Sequence, residues 1–384
     1  MAIRPLVVRL YEKRGEGSVI RTAETDDAGV VTWEMCGDVV PSPVDNKDFA
    51  VCAFLHRAMR LGRDLHIAAP VSRRMLENAE QYAAIWSCWR PYYHKMKVTA
   101  DEEMDCPKAS REGAVVAFSG GVDATFTVMR HQEKSAGRAS CDLRTAILIH
   151  GFDIPLVDDK AFKIALSASR ATLASRSIPV SSCRTDWKNK ICDDWEMEFG
   201  AGLAAVMHQW SGDAGTALLG SDEDYGHLEL PWGSNPLTIP YLSGDMAIRY
   251  DAGEFTRSTK IEGLGQWPEA LANLRVCWQG PMTGRNCGVC EKCIRTKLNF
   301  LATGQAVPPA LGSLGLNQIA GLKAYNPVQV AYLDDIVETA LKNGIEAPWI
   351  NQLRRRIRYL KARCKLKQLI LPTLNRMRRS EPVL

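Results

Sequence analysis

The chain has no run of about 18 apolar residues, so no transmembrane helix is expected. Its first stretch, MAIRPLVVRLYEKRGEG, has a short apolar patch broken by charge and lacks the long apolar core of a signal peptide. Together these predict a cytosolic protein. In that reducing setting the twelve cysteines should be thiols or metal ligands, not disulfides. The seven histidines show no metal-type pairing, and His208 and His227 read as structural or incidental. No internal repeat or low-complexity tract stands out, which argues against a solenoid. Between Arg354 and Arg379 there are eleven Lys or Arg and no acid. The whole chain is only +4, so the remaining residues sum to −7.

The rest of the composition, 46% hydrophobic and 24% charged over 384 residues, suits a globular protein with room for two domains. Residues 1 to about 40 read as a small antiparallel sheet, because PLVVRLYE, SVIRTAE and VVTWEM are separated by turn residues. Two helices follow, one ending at Gly62 and one before Pro91, and residues 90–112 read as a linker. The expectation for residues 1–110 is therefore an α+β module of their own. From Ala114 the pattern alternates strand and helix: AVVAF, DATFTVMRHQEKSAG, RTAILIH, DDKAFKIALSASRATLASR, IPVSSC, EMEFGAGLAAVMHQW, TALLG. This predicts a doubly wound α/β domain with a parallel sheet over residues 111–305. After Gly220 the pattern is irregular to about residue 295, and residues 306–384 read as a helical extension with a basic tail.

Ser119-Gly120-Gly121-Val122-Asp123 stands where the first apolar strand of this domain runs into a helix. Such a turn presents unpaired backbone N–H groups and a helix dipole, both suited to a phosphate. The glycines let the chain approach closely, Ser119 adds a hydroxyl, and Asp123 suits either a helix cap or a Mg²⁺ ligand. The same residues also suit a plain strand-to-helix turn. The turn is neither G-x-G-x-x-G nor G-x-x-x-x-G-K-[ST], which disfavours dinucleotide and Walker readings.

A second cluster, RVCWQGPMTGRNCGVCEKC, places Cys277, Cys287, Cys290 and Cys293 at spacings that let four thiolates converge on one metal. Four thiolates leave no open position, which favours structural zinc. An iron–sulfur cluster takes the same set, so both stay open. The remaining eight cysteines are scattered and read as small buried hydrophobes.

Ser-Gly-Gly-x-Asp behind an apolar strand resembles the PP-loop of the N-type ATP pyrophosphatases. With the later C…CGxCxxC knuckle and Arg295 behind it, residues 114–300 resemble the 7-cyano-7-deazaguanine synthases of that superfamily. The resemblance implies ATP cleavage between the α and β phosphates, with Mg²⁺, and adenylation of a substrate. The substrates implied are a small carboxylate or deazapurine and ammonia or an amine, with a structural Zn²⁺ at the cysteines. It implies that Ser119, Gly120, Gly121, Val122, Asp123 and Thr125 hold the nucleotide. Two departures stand out: Ala124 replaces the Ser or Thr common in the family, and residues 220–245 do not match the synthases' substrate segment.

Asp153, Asp186 and Ser221 follow other strands and are further candidates to face the nucleotide; Arg257 and Lys260 are candidate phosphate-binding cations. The tail has an apolar stripe at 353, 357, 360 and 364 and otherwise cationic faces, which suits packing on the body or binding nucleic acid, an anionic membrane or an acidic partner. Two rival functions accompany the ligase expectation. One is a tRNA sulfur-transferase that adenylates a base before thiolation. The other is a nucleotide-binding scaffold without turnover.

Overall fold

A computed structural model describes residues 4–105, 111–277 and 280–379, with side chains as far as residue 365. Cys106 and the side chains of the last part of the basic tail lie outside the described residues. The chain begins with β1 (Leu6–Gly15), β2 (Ser18–Thr25) and β3 (Gly29–Gly37), then α1 (Asp48–Leu61), β4 (Leu65–Ser72), α2 (Arg73–Trp89) and β5 (Val98–Met104). The alternating segment gives β6 (Ala114–Ala117), α3 (Val122–Gln132), β7 (Leu143–His150), α4 (Asp159–Ala174), β8 (Val180–Thr185), α5 (Trp187–Lys190), α6 (Trp195–Met207) and β9 (Thr216–Gly220). β10 (Ala247–Asp251), α7 (Arg257–Leu264), α8 (Pro268–Asn273) and α9 (Glu291–Ala302) follow. α10 (Leu316–Ala320), α11 (Pro327–Lys342) and α12 (Pro348–Arg379) complete the chain.

All ten strands form one sheet, in the order β10-β9-β6-β7-β8-β3-β2-β1-β4-β5. The expected α/β class with a mostly parallel sheet is what the chain adopts. Five strands, β10 to β8, are mutually parallel, as are β1, β4 and β5, and β8, β3, β2 and β1 pair antiparallel. The first three strands are thus not a separate sheet. β3 lies against β8, with Met35 opposite Cys183, and carries the sheet on into the N-terminal region. The stretch expected to be a linker holds β5, an exposed edge strand. β4 was also not foreseen, nor was β10 within the segment expected to be irregular.

The central strands are apolar on both faces because helices cover both. Along β6, Val115 packs with α1, α2 and α6 in one core, while Ala114 and Val116 pack with α3, α7 and α8 in another. A third cluster joins α9 to α12 through Leu298, Ile336, Leu353 and Leu360. The apolar stripe foreseen in the tail is therefore packed as far as Leu360, with Cys364 against it, and Arg354, Arg355 and Arg358 are exposed. Caps fall where the sequence puts them: Ser72 Oγ accepts from Met75 N, and the Asn326 side chain accepts from Gln329 N one residue before Pro327.

Among the parallel strands the chain leaves β6 in one direction, to β7 and β8, and then returns to β9 on the other side of β6. The carboxyl ends of β6 and β9 therefore bound a crevice at the point where strand order reverses, which is where open α/β sheets bind ligands.

Candidate functional site

A cavity of about 670 Å³ opens at this crevice. Its lining takes in the end of β6 and, from the turn that follows, Ser119, Asp123 and Ala124; Gly120 and Gly121 are not among its lining residues and instead lie against Arg275. Gly120 takes a left-handed φ of 75°, and Gly121 stands extended before the first turn of α3. Ser119 Oγ accepts from Gly121 N at 3.3 Å. Gly121 supplies no side-chain cap to α3, so the dipole and free amides of that turn have no protein acceptor from a capping side chain.

Asp123 is neither the helix cap nor free for a metal. Its Oδ2 accepts from Arg257 Nη1 at 2.9 Å and its Oδ1 from Lys260 Nζ at 3.3 Å. Burial would raise its pKa, but Arg257, Lys260 and Lys292 outweigh it and hold the carboxyl well below the usual range. A Mg²⁺ at this carboxylate would have to displace a cation from each oxygen, so Asp123 as built does not fit a Mg²⁺ ligand. Thr256 caps α7 by accepting from Thr259 N and so aims Arg257 and Lys260 at the turn.

Three more cations line the cavity. Arg275 N donates to Gly120 O at 2.9 Å, its Nη1 donates to Cys277 O, and its Nη2 lies 3.9 Å from Asp153 Oδ2. Arg275 is only 9% exposed, and its Nε has no hydrogen-bond partner among the described residues. Lys292 and Arg295 reach the cavity from α9. Burial, then Arg257, lowers the Lys292 pKa.

Four acids line the cavity as well. They are Asp222, Glu223, Glu229 and Glu196, and none of the four forms an ion pair among the described residues. Trp195, Phe199 and Trp232 also line the cavity. Asp222 is fixed by Ser234 Oγ and by Trp232 Nε1, the latter at 2.8 Å, and Glu223 Oε2 accepts from Glu229 N at 3.0 Å. Burial, then the Asp222 charge, pushes the Glu223 carboxyl up to about 8. Its folded pKa thus exceeds the unfolded one, so the folded state holds the extra proton between about pH 4.5 and 8, and stability falls as pH rises through that window. Glu223→Gln is expected to raise the melting temperature at pH 9 and to leave it nearly unchanged at pH 4, as read by thermal denaturation.

The sequence candidates divide clearly. Ser119, Asp123, Asp153, Arg257 and Arg295 line the cavity, as does Ala124. Val122 and Thr125 point into the protein, 0% and 1% exposed, so Thr125 does not stand in for a hydroxyl at Ala124. Lys260 and Ser221 are buried behind the wall, where Lys260 Nζ donates to Ser221 O and Oγ at 2.5 and 2.7 Å. Asp186 accepts from Thr32 N in the β3–β8 region and is remote from the cavity. His208 lies in the core bonded to Leu242 O, and His227 pairs with Asp224. Arg275, Lys292 and the four acids were not singled out from sequence. Only the proximity of Arg275 and Lys292 to the cysteines hinted at the first two.

Gly220, at the end of β9, makes the crevice possible. A Cβ there would lie 2.8 Å from the carbonyl carbon and oxygen of Asp123 and 3.0 Å from Ala124 N. Gly220→Ala is expected to lower stability by about 2 kcal/mol, read by urea unfolding, because backbone on both sides must part.

The four cysteines meet beside this cavity. All four Sγ atoms lie within 4.8 Å of one another, with Cys277–Cys290 at 3.7 Å and Cys287–Cys293 at 4.0 Å. A tetrahedral metal with bonds of about 2.3 Å sets its sulfurs about 3.8 Å apart, so this cluster fits a metal such as zinc. Val289 N and Cys290 N both donate to Cys287 Sγ, the turn geometry of a thiolate knuckle.

No protein-family model matches the chain, nor does any curated protein or solved structure.

Proposed function

We propose that the protein is an ATP-dependent synthase of the PP-loop type, which adenylates a substrate carboxylate or carbonyl and passes it to ammonia or an amine. The observation that carries this reading is the charged cavity at the strand switch point, lined by cations and acids together. Its cations Arg257, Arg275, Lys292 and Arg295, beside the glycine turn, suit a pyrophosphate, and its acids and aromatic rings suit an electropositive second substrate. The Nε of Arg275 beside Gly120, buried and without a partner among the described residues, is a donor awaiting an anion.

In this reading a carboxylate oxygen attacks the α-phosphorus as the bond to the β-phosphate oxygen breaks, and pyrophosphate leaves onto the turn. The amine then attacks the acyl carbon, AMP departs, and the amine gives up a proton. Arg257, Arg275, Lys292 and Arg295 hold the phosphate charge, and Lys260 fixes Asp123 from behind. Glu223, titrating near 8, is suited to receive the amine's proton. Magnesium is expected to arrive with the nucleotide and not on Asp123. The cysteine centre is structural zinc.

A second reading, a tRNA sulfur-transferase, draws on the exposed Arg354, Arg355 and Arg358 of α12. The four acids of the cavity oppose it, because they would face a polyanion. The test is product analysis of ATP with Mg²⁺, ammonium and a carboxy-deazaguanine. AMP and pyrophosphate formed only with the deazaguanine, plus a nitrile or amide product, support the synthase. AMP formed only with RNA, from an iron-containing protein, supports the rival. Nucleotide binding without AMP from any mixture overturns both in favour of a scaffold.

A further inference from the structure

The cysteine centre is more than a staple, because α9 carries two of the four cysteines, Cys290 at its N-cap and Cys293 in its first turn, together with two of the cavity's cations. Cys290, Cys293 and Lys297 fall at i, i+3 and i+7, on one side of the helix. Lys292 and Arg295, at i and i+3, fall on the opposite side and line the cavity. Lys292 thus sits between two sulfur ligands in sequence and faces away from both. No side chain caps α9, and Cys290 is its N-cap residue. The first turn is held from the metal side instead: Lys297 Nζ donates to Gly288 O at 2.6 Å and to Ser313 O at 2.7 Å, tying the helix to the knuckle. Arg275 adds a second link, since it bonds both the glycine turn and the carbonyl of Cys277.

The two cations are placed for a ligand. The Lys292 ammonium makes no hydrogen bond or ion pair among the described residues, and it stands near Asp123, Asp153, Arg257 and Arg295. Arg295 uses Nε on Glu291 at 2.7 Å and stacks over Tyr332 at 5.2 Å, while its two terminal nitrogens have no hydrogen-bond or ion-pair partner among the described residues. With Arg257 and Arg275 they put four guanidinium or ammonium groups on the cavity wall around a turn that offers free amides. Asp123, Asp153 and Glu291 offset only three of the five charges when Lys260 is counted.

We propose that the four-cysteine metal centre positions Lys292 and Arg295 for anion binding, so that metal occupancy sets the protein's affinity for the pyrophosphate moiety of its ligand. The proposal rests on the nucleotide reading above and assigns Lys292 and Arg295 as the residues through which the metal acts. Loss of the metal frees the first turn of α9, and both cations lose their fixed distance from the glycine turn.

The test is calorimetric titration of inorganic pyrophosphate into the full-length, metal-loaded protein. Lys292→Gln and Arg295→Gln are each expected to weaken binding at least tenfold, the size of a lost charge-assisted contact, and Lys292→Arg to recover most of it. Stripping the metal with a chelator, under conditions where far-UV circular dichroism is retained, is expected to weaken wild-type binding as far as the double variant. The double variant should then be insensitive to metal. A merely structural centre would weaken both proteins alike, and that result overturns the proposal. Should stripping collapse the helical signal, the metal-loaded variants decide: binding equal to wild type overturns it. Wild-type protein that binds no pyrophosphate overturns the nucleotide reading with it, whereas tight wild-type binding with unaffected variants overturns the coupling alone.

Discussion

Asp123→Asn is expected to lower AMP formation ~100-fold and to cost about 3 kcal/mol of stability at neutral pH. Both effects come from the same pair of contacts. Asp123 is the one carboxylate bonded to Lys260, which is 2% exposed and otherwise bonded only to Ser221. Neutralising the acid leaves a buried ammonium with dipoles but no counter-charge, the situation in which breaking a buried pair is most costly. It also releases Arg257, whose Nη1 is held at 2.9 Å, so the guanidinium loses its aim at the turn. On the synthase reading proposed above, the loss of AMP formation follows because the cations no longer stand where charge develops, and not because Asp123 reacts. The pH dependence separates this from a general loss of packing. The carboxyl titrates far below its unfolded value near 3.8, so its contribution is fully present above that pH and is lost as pH falls below it. Urea unfolding of wild type and variant should differ fully at pH 7 and converge as pH drops below about 4. A gap of constant size from pH 7 to 3 would contradict the ion-pair account, and near-normal AMP release would refute the role of Asp123.

What was legible in the sequence was what local pattern encodes. AVVAF can be read as a doubly covered strand because both faces of β6 are buried, and the glycine turn can be read because φ at Gly120 demands it. The knuckle can be read because two-residue gaps are a property of adjacent residues. The missed elements obey longer-range rules. β5 reads VTADEEM, a charged edge strand whose inward face is little more than Val98 and Ala100, and β4 contains Pro70 at the point where its pairing with β5 shifts register. The antiparallel seam between β3 and β8 joins residues about 150 apart, and nothing local marks either strand as a partner. The charge pattern of the cavity was hidden for the same reason. The acids of SDEDYGHLE read as a solvated loop until β9 and β10 fold them inward, and Lys292 reads as part of a metal loop until α9 turns it away from the sulfurs. Lys260 was foreseen as a phosphate-binding cation; its burial behind Asp123 makes it a positioning one.

Cys293→Ala should release the metal completely and lower stability by several kcal/mol, while Cys183→Ala, on β8, should cost about 1 kcal/mol and leave metal content unchanged. The comparison is informative because the two residues are alike in burial, both 0% exposed, and lose the same sulfur atom. Cys183 packs in the core with Val115 and Ile147, so its removal costs a small apolar contact. Cys293 opposes Cys287 at 4.0 Å, and without it three thiolates remain to hold an ion that needs four. Elemental analysis and urea unfolding of the two variants decide the matter; metal retained at full stoichiometry by Cys293→Ala would show that the four thiolates are not its ligands. Lys297 gives an independent reason to expect the metal. It is 1% exposed and bonds two carbonyls but no carboxylate. A buried ammonium without a counter-ion is costly, and a divalent ion in four thiolates supplies one, since that centre carries a net negative charge. Emptying the site would therefore strand Lys297 as well as the sulfurs, which is why the loss should exceed what one buried thiol is worth.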